Sequence, residues 1–379
     1  MSCLQTAILR IAAILCVALS GLAQAATYCV RNHTELQQAL TAAAASPGDD
    51  EIKVREGVYT TYNGTFTYTA QTTGWLFIVG GYYTVDGNDC AQMRMDASRT
   101  ILDGAGQNQV LRITLLPPAG TTTSARLGVM NLSIANGYGD SATFVRGGGV
   151  DMSSFSDGYT ELWLENVIVA ASKGYFSGGA NLYAKYGLAR IANSLFDHNE
   201  APTSAYGHAA ITVVSTLENL AHPVVIANSS FVRGRCAGNG TRGCGVGVGL
   251  PAGVHLDVLN SLFFDNAISD LNIEGMANIG LGNGSASADS SLIGTLSGNL
   301  PLTATRALAG DPAFVDAVNG NFRLRNDSPF INQALATIPY YPLSMLDLDA
   351  KLRTRFDAMD PGPYENQTWD ILFIDGFDG

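Results

Sequence analysis

Few side chains in this sequence have the type and spacing to do chemistry. Glu161, Trp163 and Glu165 alternate with Leu162 and Leu164, so in an extended strand all three point to one side. Two carboxylates flanking an aromatic ring suggest acid/base cleavage of a sugar chain. Four residues apart in a strand, however, Glu161 and Glu165 stand about 13 Å from each other at ~3.3 Å per residue. A glycosidase pair needs about 5 to 9.5 Å, so these two cannot be that pair. What remains is recognition. Arg126, Arg190, His255 and Asp257 occupy equivalent places in similar segments, and Trp163 beside Arg190 suits a cation–π contact or a sugar-stacking platform better than bond cleavage. The candidate ligand-binding set is therefore Arg126, Glu161, Trp163, Glu165, Arg190 and Asp257.

These residues are positioned by a short pattern written five times. The copies are RLGVMNLSI from Arg126, ELWLENVIV from Glu161, LARIANSLF from Leu188, PVVIANSSF from Pro223 and HLDVLNSLF from His255. Their asparagines, Asn131, Asn166, Asn193, Asn228 and Asn260, recur every 27 to 35 residues, the interval of a solenoid. Four before each Asn stand Leu127, Leu162, Ala189, Val224 and Leu256, and two before it Val129, Leu164, Ile191, Ile226 and Val258. Both columns are apolar and the column between is mixed, as in a strand with one face buried. Six after each Asn stand Gly137, Ser172, Asn199, Gly234 and Asn266, which predict a turn. A second strand recurs between copies, in GGGVDM, GGANLY, HAAITV and GVGVGL, and places Asp151 beside Asn181. The intervals are too short for crossover helices, so the pattern predicts an all-β, single-stranded parallel β-helix.

The rows resemble right-handed parallel β-helix repeat proteins of the pectate-lyase-like fold, and the Asn column is similar to their internal Asn ladder. The stretch DPAFVDAVNGNFRLRNDSPFINQA from Asp311, with DLDAKLR from Asp347 and DPGPYE from Asp360, resembles the close of the bacterial family labelled choice-of-anchor Q. The resemblance covers nearly the whole chain after its leader. It implies a right-handed coil; it does not imply one activity, because this fold carries lyases, hydrolases, adhesins and passengers alike. A lyase of the pectate-lyase kind would want carboxylates around calcium beside a basic residue, and only Asp151 with Lys173 or Lys185 comes near. Calcium is expected only under that reading, and otherwise no cofactor. Gly48-Asp49-Asp50 resembles a carboxylate pair of polygalacturonases, but it falls in the N-terminal cap and predicts a turn.

Along the chain, Arg10, the apolar run Ile11 to Ala23 and the small residues of Ala23-Gln24-Ala25 predict a cleaved signal peptide over residues 1–25. No later stretch approaches the ~18 apolar residues of a membrane span. Loss of the leader leaves Cys29, Cys90, Cys236 and Cys244 of the six cysteines, an even number that suggests two disulfides in an oxidising compartment. Cys236 and Cys244 bracket a short Gly-rich loop, which leaves Cys29 for Cys90 as the tie between cap and coils. TELQQALTAAAA, with Thr34 as N-cap, predicts a short helix over the open end of the solenoid. The expected order is the β-helix with this cap over 26–310, a C-terminal cap over 311–365 and an apolar-acidic tail over 366–379.

The net charge of −12 and the lack of any basic run are wrong for nucleic acid. Gly238 to Gly243 matches GxGxxG but lies between two cysteines with no helix following, which predicts a disulfide loop. His33, His198, His208, His222 and His255 show no ligand spacing. Asp347, Asp349 and Asp360 have the chemistry for calcium, but a cap turn explains them better. Two functions from different classes are therefore expected: an exported or cell-surface scaffold, monomeric, non-catalytic and adhesive or carbohydrate-binding, or an extracellular polysaccharide lyase or hydrolase.

Overall fold

The computed structural model describes residues 25–139, 145–201, 206–215, 223–236, 243–277, 281–338, 346–354 and 358–366. The leader, the tail beyond Asn366, His222 and most of the Gly238 loop lie outside the described residues. What is described is a parallel β-helix with three walls. Sheet one runs from Ala26–Val30 through Asp50–Arg55, Trp75–Val85 and the first halves of Ala125–Ala135 and Thr160–Ala170, and on to Thr303–Thr305. Sheet two stacks Gly57–Thr60, Thr100–Asp103, the second halves of those long strands, Leu195–Asp197, Ser230–Val232 and Leu262–Phe264. Sheet three holds the GGGVDM-type strands, from Phe66–Ala70 to Leu296–Gly298. Every pairing between successive coils in these walls is parallel.

The five asparagines sit where the chain turns from sheet one into sheet two. Each adopts φ between 47° and 54°, a left-handed conformation that Asn tolerates better than most residues with a Cβ. Their amides then link coils: Asn166 donates to Asn131 at 2.7 Å, Asn193 to Asn166 at 2.8 Å and Asn260 to Asn228 at 3.1 Å. A second ladder follows at the next residue. The hydroxyls of Ser194, Ser229, Ser261 and Ser291 each accept from a backbone N–H of the preceding coil at 3.0 to 3.3 Å. Without these bonds, buried corner amides would each lose on the order of 1–3 kcal/mol.

The left-handed residue of the next corner falls five, not six, after each Asn: Asn136, Ala171, His198, Arg233 and Asp265. The column at six is instead a buried polar link between coils. Asn199 donates to Val169 O and accepts from Ser172 N, and Asn266 does the same with Phe231 O and Gly234 N. The turn expected there is thus displaced by one residue. The 27-residue interval also has a cause. The strand Ala180–Ala192 passes from sheet three into sheet one without a loop, bending at Gly187, whose φ of +132° would strain any other residue.

The two apolar columns fill the lumen as expected, and Phe196, Phe231 and Phe263 stack through it at 4.9 and 4.8 Å. Each such side chain contributes roughly 1.5–3 kcal/mol by burial. The capping helix α1 spans His33–Ala45, and its N-cap is Asn32 rather than Thr34. Asn32 accepts from Glu35 N and donates back to the Glu35 carboxylate, both at 3.0 Å, a reciprocal cap of the capping-box kind. Cys29 is bonded to Cys90 and Cys236 to Cys244, with Cα separations of 5.9 and 5.2 Å. The first ties the strand before α1 to a hairpin that leaves sheet one at Tyr82.

The segment expected to cap the C-terminal end does something else. From Asp311 it folds back along the flank of the solenoid as a strap. Phe314, Phe322, Leu324, Phe330, Ile331, Leu348 and Tyr364 bury against Leu195, Val232, Leu262 and Leu292 on the outside of sheet two. Leu335 and Ile338 cover Ala192, Val225, Ala227 and Leu259 at the edge of sheet one. The reason is the outer face itself: sheet two carries apolar residues outward in its later coils, and these need cover. The last strand of sheet one, Thr303–Thr305, stays exposed.

Candidate functional site

Register places the sequence-predicted residues on the outside of sheet one. Trp163 pairs with Gly128 and Arg190, Glu161 with Arg126, and Glu165 with Met130 and Ala192. The guanidinium of Arg126 lies 4.4 Å from the Trp163 ring and that of Arg190 4.6 Å from it, while Arg126 also covers Trp75 at 4.6 Å. Arg126 Nε donates to Glu161 at 2.7 Å. Phe77 reaches Trp163 across Gly128, where a Cβ would come within 2.6 Å of the Phe77 ring. Trp163 is thus packed between two cations. The arrangement is a brace across four coils, with each contact worth roughly 0.5–2 kcal/mol, and it leaves no face of Trp163 for a sugar. Burial, then the charge of Glu161, pushes the adjacent Tyr159 phenol up to about 12, so it stays a neutral member of the cluster.

Asp257 belongs to a separate group. His255 Nε2 meets Asp257 at 3.1 Å, and His255 Nδ1 meets Ser285 Oγ at 2.6 Å. Carboxylate, imidazole and hydroxyl are in the order of a nucleophile activated by a base. The N–H groups of the paired strands His255–Leu259 and Ser285–Asp289 are directed along the sheet, so the flat face offers an oxyanion no cradle. Ser287 takes the same carboxylate at 2.6 Å, and the group serves the surface of the sheet.

Other sequence candidates resolve into structural contacts. Asp49 accepts from Trp75 N and Asp50 from Ala26 N, the work of a turn. Asp347 accepts from the N–H groups of Asp349, Lys351 and Glu365, and Asp360 from those of Asn332 and Asn366. His208 is buried and bonded to Asn199 and Asn266, and burial pushes it down to about 3. Lys173 pairs with Glu200 and Lys185 with Asp157, so neither joins Asp151. Among the described residues, no group of three or more His, Cys, Asp and Glu side chains is placed to hold a metal ion.

The concave surface lies on sheet three. Arg146, Tyr175, Phe176, Asn181, Tyr183 and Thr212 line a groove of about 420 Å³, within the range of small-ligand sites. Tyr183 packs against Phe155 at 5.2 Å, with Arg146 at 5.8 Å from its ring. Phe176 stands edge-on to Tyr206 at 6.0 Å, and Tyr206 donates to Asn272 at 2.9 Å. Beyond Thr212 the surface continues past Gly249 to Glu274. Asn181 donates to Asp151 at 2.7 Å, as the repeat register predicted, and Ser153 donates to the same oxygen.

Aromatic edges with amide and hydroxyl groups suit a polyol. Cleavage would need a second carboxylate near Asp151. Glu274 is four coils away, about 19 Å along the axis at ~4.8 Å per coil, well beyond the roughly 9.5 Å limit of an acid/base pair. Sequence reasoning missed this groove because Arg146, Tyr175 and Phe176 stand in loops between sheets two and three, outside any repeating column. The available signal was a cluster of aromatics directly before and within GGANLY. No helix among the described residues is long and apolar enough to cross a membrane, and the two disulfides fit an oxidising compartment. No protein-family model, curated protein or solved structure matches the chain.

Proposed function

We propose that this chain is an exported β-helix scaffold, acting outside the cell or at its surface, that binds carbohydrate in the groove of sheet three without cleaving it. The leader-like segment, the two disulfides and the resemblance to choice-of-anchor Q proteins support the location. The observation that carries the activity is the groove of Tyr183, Phe176, Asn181 and Arg146, which offers stacking faces with an amide and a guanidinium as hydrogen-bonding groups. The carboxylate bonded to its Asn181, that of Asp151, is already satisfied by Asn181 and Ser153.

The test is affinity electrophoresis and calorimetry of the mature protein against neutral and uronate polysaccharides, with and without calcium, beside a reducing-end assay. Binding weakened about tenfold or more by Tyr183→Ala, with no new reducing or unsaturated ends, is the expected result. Released ends, lost on Asp151→Asn, would replace the scaffold by a lyase or hydrolase.

A further inference from the structure

A second concave site lies at the other end of sheet three, under the capping helix. Its volume is about 330 Å³, and it opens between the first turns of α1 and the loop that leads into Phe66–Ala70. Its wall is built from uncharged hydrogen-bonding side chains: Thr34, Gln37 and Gln38 from the helix, Thr61, Asn63 and Thr65 from the loop. The lining has no Asp, Glu, Lys or Arg. Gln37 fixes its floor, since its amide donates to Thr67 O at 3.0 Å and accepts from Thr67 N at 2.9 Å. This contact also closes the edge of the first sheet-three strand.

An aromatic pair stands beside the opening. His33 lines the cavity, and the ring of Tyr62 meets it edge-on at 5.7 Å. Tyr62 is 76% exposed, the most exposed aromatic side chain among the described residues. A ring held so far into water gains nothing by burial in this fold.

We infer that this cavity is a second saccharide site, taking one or two residues of a neutral glycan with the Tyr62 ring against the apolar face of the sugar. Hydroxyl and amide groups both donate and accept, which matches a ligand whose polar groups are hydroxyls. An anionic or zwitterionic ligand would leave its charge unpaired here. The site is distinct from the groove: Asp151 and Ser153, between the two on sheet three, are only 8% and 3% exposed. It extends the carbohydrate-binding reading of the groove and rests on it for ligand class alone. Two separate sites on one rigid rod would raise avidity for a polymer without any new contact.

The experiment titrates the full mature protein with neutral malto-, cello-, xylo- and manno-oligosaccharides while following the His33 imidazole signals by NMR, with calorimetry in parallel. At least one series should shift His33. Tyr62→Ala, and Asn63→Trp to fill the opening, should each weaken that event about tenfold with Tm unchanged, whereas Tyr183→Ala should leave it intact. Binding that depends on Tyr183 but leaves His33 unshifted overturns the second site and spares the groove. A His33 shift without any Tyr183-dependent binding overturns the groove and keeps the cavity. If no sugar binds, both are wrong.

Discussion

The wall of the solenoid and the strap on its flank are held by opposite means. In the wall five successive coils repeat the same apolar pair and the same corner amide, so these residues are stabilised by copies of themselves in the neighbouring coils. The strap has one copy of everything, and its centre is charged. Asp347, Arg353, Asp360 and Glu365 are all buried there. The Arg353 guanidinium donates to Gly362 O at 3.0 Å, to Pro363 O at 2.9 Å and to the side chain of Asn193. The lumen of the wall is filled by apolar residues; the strap is organised by buried charge.

Ile226→Asp should break the comparison on the wall's side. An unpaired carboxylate in the lumen costs about 5 kcal/mol or more, and denaturant unfolding should find the whole solenoid lost. Retained folding would mean that the lumen is not what holds the coils together. Arg353→Ala tests the other side, with an expected loss of about 3–5 kcal/mol, the cost of removing one partner from a buried charge group. The loss should be local: limited proteolysis would release fragments from 311–366 while the β-sheet circular dichroism persists. Global unfolding would show that strap and wall are one cooperative unit.

A smaller effect should appear with pH, and with opposite sign in the two regions. Burial, with the charge of Asp360 adding, pushes Glu365 from 4.5 up to about 9, and burial raises Asp347 as well. A raised carboxyl contributes stability that is complete below its unfolded value and is lost as pH rises through the folded one. The strap should therefore become more protease-sensitive from about pH 4.5 towards 9, and Glu365→Gln should flatten that slope. His208 in the wall runs the other way. Burial pushes it from 6.5 to about 3, so its contribution holds above pH 6.5 and is lost as pH falls towards 3; His208→Gln should weaken the acid dependence of Tm. The smallest effect is at the brace. Arg126→Ala should cost about 1–2 kcal/mol and leave glycan binding unchanged, whereas a loss of binding would return Trp163 to the role of platform.

The same contrast explains what could be read from the sequence. Columns are legible because the chain states them five times: Trp163 beside Arg190, Asp151 beside Asn181 and the lumen residues all lie where alignment puts them. The serine ladder was equally visible, since Ser194, Ser229 and Ser261 each follow the Asn, and each hydroxyl donates to the carbonyl two residues before it while accepting from an N–H of the preceding coil. The third wall was hidden because the strand after each corner is only three residues long in the later coils. The groove and the strap were not legible for one reason. Arg146, Tyr175 and Arg353 act once each, and a residue that appears once has no column to mark it.

Arg353 has a consequence for the length of the rod. Its guanidinium takes the Asn193 oxygen, and the buried amide nitrogen of Asn228 has no partner among the described residues. Leu335 N and O bind the side chain of Asn260, two corners further on. The strap thus grips the corner line at two points about 10 Å apart, two coils at ~4.8 Å each. Solenoids ordinarily gain and lose repeats freely, because each coil knows only its neighbours. Here a duplicated coil between Asn193 and Asn260 would carry the second grip out of reach by one full step, and a deleted one would drive the two together. The strap is a gauge that counts coils, and this stretch of the rod can vary in sequence but not in number.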